Sequence, residues 1–173
     1  MTAMLLYHFT HWGALPAIAE HGLTVGDVPT SSNSGIVGVW LTSASDADGH
    51  GLEGSAANKK AVRLTVEVPP GDPLHRWSDW AEKHCTKEMR DALYTCNGAA
   101  SATWFIYLGW IKPQMIVRAE DATNDLMPIP DWGARRHGIT ASKGIRFRDR
   151  AIWHKRMQAD LMRIVRDARQ QRI

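Results

Sequence analysis

The chain has little cysteine: Cys85 and Cys96 are the only two in 173 residues. They form no CxxC pair and have no Cys/His spacing of the kind that holds zinc, so a structural zinc site, or any other metal site, is not expected. Two thiols give no disulfide framework either, which points to a reducing compartment. Long apolar runs are also missing. No segment approaches the roughly 20 residues that a membrane-spanning helix needs. The apolar start, residues 1–6, is too short for the core of a secretion signal. A soluble, cytoplasmic protein is therefore expected. Internal repeats and low-complexity tracts are absent, as are a Ser/His/Asp order, a nucleophile elbow, a P-loop and an HExxH pair. Hydrolase and nucleoside-triphosphatase readings have nothing to stand on.

What the chain does have is tryptophan, eight against three tyrosines and three phenylalanines. A domain of this size seldom buries that many completely, so some are expected to line a groove or interface. Charge is unevenly placed. Residues 1–134 carry 9 Lys/Arg against 15 Asp/Glu, a balance of −6, and residues 135–173 carry 12 against 3, a balance of +9. The tail is thus a candidate for an anionic partner, either nucleic acid or an acidic protein surface.

Periodicity divides the chain. Residues 5–9 read as a strand, with Thr10 as N-cap of a helix running to about His21 and Gly22 closing it. Residues 26–38 read as a polar loop leading to a strand at 39–42. A second polar, glycine-rich loop covers 43–58. The plainest strand is KKAVRLTVEV, residues 59–68, with Val62, Leu64, Val66 and Val68 on one side and Arg63, Thr65 and Glu67 on the other. A helix is expected over 79–93, strands over 104–108 and 115–118, and a linker over 119–144. Residues 145–173 read as a basic amphipathic helix, with Ile152, Met157, Leu161, Ile164, Val165 and Ala168 as its apolar stripe. Arg146, Arg148, Arg150, Lys155, Arg156 and Arg163 are its candidate phosphate contacts.

Several side chains could carry chemistry. His8 ends a core strand, where an imidazole can bond a ligand hydroxyl near neutral pH; a paired core histidine is the plain alternative. Arg63 in mid-strand suits bidentate binding of phosphate or carboxylate, or else belongs to a solvated row with Thr65 and Glu67. The loop SDADGHGLEG, residues 45–54, has Asp46, Asp48 and Gly49 but lacks the register of a calcium loop. It reads instead as a flexible acidic loop able to cover a site, with His50 as a mobile candidate. Trp104, Phe105, Tyr107 and Trp110 could stack on a nicotinamide or nucleobase, although aromatic strands more often form core.

The opening LLYHFTHWGALPAIAEHGLT, the strand VWLTS, the arginine strand and the turn IKPQMI together resemble the ADP-ribosyltransferase-like fold. The nearest types are the DarT-type enzymes and the RNA 2′-phosphotransferases. The resemblance covers roughly residues 4–118. It implies an α+β domain over residues 1–118 with a split, mixed β-sheet and an NAD-type ligand between the half-sheets. It implies that Tyr7, His8, Thr10, Trp40, Thr42, Arg63 and Trp104 line that site, with His8 and Arg63 as the catalytic pair and NAD as co-substrate. One departure stands out. DarT-type enzymes carry a glutamate where this chain has Trp104, and a carboxylate there would orient the ribose or activate the acceptor. Two readings follow: a transferase using NAD to modify nucleic acid or protein, toward which the retained His8 tips the balance, and a non-catalytic binding module on the same fold.

Overall fold

In a computed structural model, which describes residues 2–24, 26–52, 57–136 and 138, the chain is an α+β domain built on a seven-stranded sheet. The strands are β1 (Met4–Thr10), β4 (Val39–Thr42), β5 (Val62–Val68), β6 (Leu74–Arg76), β7 (Trp104–Tyr107), β8 (Ile116–Asp121) and β9 (Met127–Pro128). Two short strands, β2 (Asp27–Pro29) and β3 (Gly35–Val37), form a separate ribbon. The sheet order is β6-β7-β4-β1-β5-β8-β9, and every pairing in it is antiparallel. This corrects the expectation of a mixed sheet. Neighbouring strands here run in opposite senses even where long connections join them, so no parallel crossover is formed.

The sequence explains the two layers packed on the sheet. On β5 the alternation puts Val62, Leu64, Val66 and Val68 on one face, all buried. Leu6, Val39 and Leu41 join them there. That face is covered by α1 (Leu15–His21), through Leu15, Ile18 and Ala19, and by Trp132 of α4 (Trp132–Arg135). The opposite face, on the β4–β7 side, is covered by α2 (Trp77–His84), whose Trp77, Trp80 and Ala81 pack on Trp104 and Ile106. Each fully buried side chain of this size contributes about 1.5–3 kcal/mol.

Local deviations have local causes. Thr10 remains in β1; a 3-10 turn (Trp12–Ala14) precedes α1, and His11 stands at its N-cap. The expected single helix over 79–93 is two, α2 and α3 (Lys87–Asn97), separated where Cys85 turns extended with ψ 146. Gly22 ends α1 at φ 70, and an added Cβ there would lie 2.0 Å from the Ile111 carbonyl oxygen. The stretch read as a linker extends β8 to Asp121 and supplies Ile129 and Trp132 to the core. The basic helix expected over 145–173 lies outside the described residues, and with it Arg146, Arg148, Arg150, Lys155, Arg156 and Arg163.

Candidate functional site

The joint between β1 and β4 defines the candidate site. β1 pairs with β5 along its whole length, from Met4↔Val68 to Thr10↔Val62, but meets β4 at one register position, Tyr7↔Thr42. No second register pair joins the two strands, and His8 Nδ1 instead donates to the Trp40 carbonyl at 2.9 Å. A carbonyl can only accept, so Nδ1 carries the proton and Nε2 presents a lone pair. No hydrogen bond to Nε2 is made among the described residues. Burial pushes the His8 pKa down, the bond to Trp40 partly opposes this, and the Lys59 charge adds to the lowering. The imidazole is therefore neutral at pH 7.

The bond also reorganises the backbone. The Trp40 carbonyl points toward β1, and in a continued ladder it would have met the Phe9 amide. No register pair joins Phe9 to β4. The His8 Nε2 lone pair is thus an acceptor left over where β1 and β4 share a single register pair. A neutral imidazole nitrogen of this kind can accept a hydrogen bond from a ligand hydroxyl or amide. Thr10 shares His8's face and is buried.

Arg63 is elsewhere. Directly opposed residues in an antiparallel pair share a face, so the pairings His8↔Leu64 and Phe9↔Arg63 place His8 and Arg63 on opposite sides of the sheet. The two are not brought together. Arg63 Nε donates to Glu120 Oε2 at 2.9 Å, Nη2 lies 2.9 Å from the same oxygen, and Nη1 donates to the Ser45 carbonyl at 2.7 Å. Its guanidinium carbon sits 4.9 Å from the centre of the Tyr7 ring. Arg63 and Glu120 are both buried, so this is an internal ion pair and not part of a solvated row.

The remaining expected site residues lie on Arg63's side and are committed to packing. Trp40 Nε1 donates to the Asp27 carbonyl at 2.7 Å, and its ring meets those of Trp77 and Trp104 at 4.9 and 5.5 Å. Thr42 Oγ1 bonds Thr103 Oγ1 at 2.7 Å and accepts from the Ala44 amide. Trp104, buried, donates from Nε1 to His50 Nδ1 at 2.8 Å.

Two features escaped the reading of the sequence: Glu120, and the seat of His50 on the sheet. Glu120 gave no periodic signal, since the register shift in the β5–β8 pairing breaks the alternation of β8; the pairing Arg63↔Glu120 alone sets the carboxylate opposite the arginine. Among the described residues, no group of three or more His, Cys, Asp or Glu could hold a metal ion. No helix among them is long and apolar enough to cross a membrane. No protein-family model, curated protein or solved structure matches the chain.

Proposed function

We propose that this chain is an ADP-ribosyltransferase-like protein that binds an NAD-type dinucleotide at the joint between β1 and β4. The observation that carries the reading is the unspent acceptor on His8, at the joint where β1 meets β4 through one register pair. His8 Nε2 suits a ribose hydroxyl of such a ligand. Arg63 is turned to the opposite face and held by Glu120 and Ser45, which sets it apart from a phosphate bound beside His8.

Binding without transfer is the reading that the described residues favour. Glu120, their buried carboxylate, lies on the far face and is neutralised by Arg63, while Trp104 occupies the position where the resemblance calls for an acid. Transfer to a nucleic-acid or protein acceptor is the second reading, favoured by the neutral imidazole with its free lone pair. In either case the arginines of 145–173 supply the affinity for an anionic partner.

Calorimetry with NAD on the wild type and on His8→Ala tests the binding. The expected result is saturable binding that weakens at least about tenfold in the variant, the order of one charge-free hydrogen bond. Equal affinity in both proteins, or no binding in either, would overturn the proposal. Labelled NAD with DNA, RNA or protein then separates the two readings, since label transfer establishes turnover. Truncation after Gly144 should weaken nucleic-acid binding and flatten its salt dependence.

A further inference from the structure

On the face away from His8, residues 45–50 lie across the sheet and are fastened at two points. Arg63 Nη1 holds the Ser45 carbonyl at one end. At the other, the His50 ring stacks on Phe9 with centroids 5.9 Å apart and planes inclined by 20°, and Nδ1 accepts from Trp104 Nε1 at 2.8 Å. An indole N–H can only donate, so Nδ1 must be unprotonated. The other nitrogen, Nε2, bears the hydrogen and donates to the Asp46 carbonyl at 3.2 Å, closing the segment on itself.

We propose that residues 45–50 form a strap that His50 holds shut while its imidazole is neutral and releases when the imidazole is protonated. Imidazolium has two N–H donors and no acceptor, so its Nδ1 would face the Trp104 N–H donor to donor. The contrast with His8 sharpens the point. His8 donates from Nδ1 to a carbonyl, so protonation leaves that bond in place. Release uncovers the Phe9 side chain and leaves Arg63–Ser45 as the hinge. The strap follows from the hydrogen-bond polarity alone and does not depend on which ligand the site beside His8 takes.

The charged groups around His50 do not change between pH 8 and 5 in a way that mimics this. In the strap, the bond to Lys60 and its charge hold the Asp48 carboxyl below its ordinary range, so that pair stays ionised. Asp46 presents its carbonyl to His50. On the sheet beneath, the charges of Arg63 and Glu120 neutralise each other, and β7 presents Trp104.

The test is a nitrogen–proton correlation spectrum of the full chain, titrated from pH 8 to pH 5, with Trp104 assigned through Trp104→Phe. The Trp104 indole proton should move toward the position of an unbonded indole as pH falls, together with the amides of residues 45–50. The indoles of Trp110 and Trp132, which donate to carbonyls away from Trp104, should hold still, which separates strap release from unfolding. His50→Gln supplies a side chain that does not titrate, and its Trp104 signal should stay constant. A Trp104 signal that holds still in the wild type, or that shifts with pH equally in His50→Gln, overturns the proposal.

Discussion

Removing Glu120 should cost this protein more than any other single carboxylate substitution among the described residues, and the geometry says why. Glu120 and Arg63 have side chains only 6% and 9% exposed, and two guanidinium nitrogens lie 2.9 Å from one carboxylate oxygen. Glu120→Ala leaves the guanidinium charge buried, with the Ser45 carbonyl and the Tyr7 ring as its remaining partners. Breaking a buried pair from one side costs about 3–5 kcal/mol. For a chain of this length each kcal/mol is worth roughly 2–4 °C, so the melting temperature should fall by about 6–20 °C. Arg63→Met should fall by less, because it leaves the carboxylate with Arg118 Nη1 at 3.6 Å from Oε1. The double variant Arg63→Met/Glu120→Leu should be markedly more stable than either single one, because apolar replacement of a whole buried pair is often neutral or better. Urea denaturation of the four proteins measures the cycle. Single-variant losses below about 1 kcal/mol, the range of a solvent-exposed pair, would refute the buried assignment. A loss of NAD affinity in Arg63→Met at unchanged stability would return Arg63 to the ligand site.

Three further outcomes are expected. Gly22→Ala should destabilise by at least about 2 kcal/mol in the same assay, since a side chain pays for positive φ and its Cβ would also strike the Ile111 carbonyl. The β8–β9 hairpin turns at Asp125 and Leu126, both at positive φ with Met127 N donating to the Asn124 carbonyl, so Leu126→Gly should be neutral or stabilising by up to about 1 kcal/mol. His8 has a folded pKa below its ordinary 6.5, so the stability it contributes is present above that value and is lost as pH falls through the lowered folded one. Urea midpoints at pH 8 and pH 5 should therefore differ more for the wild type than for His8→Gln.

Much of the sheet was legible because its strands carry strong alternation. Residues 39–42 were read as β4 with the bounds observed, and β1 and β5 within three residues. The β2–β3 ribbon was read as loop, since three-residue strands among serine, glycine and proline leave no periodic signal. The break between α2 and α3 contains neither glycine nor proline. Its sign was Thr86, whose hydroxyl accepts from the Met89 amide at 3.3 Å, a helix-starting contact that the continuous apolar pattern masked.

The candidate site was legible in parts and not as a whole, for a reason that lies in β geometry. Alternation tells which residues of one strand share a face, but the relation between two strands depends on register, and a slip of one residue exchanges the faces. His8 and Arg63 each looked suited to a ligand. Whether they could serve the same one turned on whether His8 met Leu64 or Arg63 across the ladder, which is decided by the whole of β1 settling against β5. The apolar side chains decide it: the observed register puts Leu6 beside Val66 on the covered face, and a one-residue slip would turn one strand's apolar set to the other side. Once that register holds, Arg63 is carried to the face where Glu120 waits on β8, and His8 is left on the other face where β1 meets β4. The same core packing therefore separates the buried ion pair from His8, so the two cannot be brought to one contact by any shift that keeps the register.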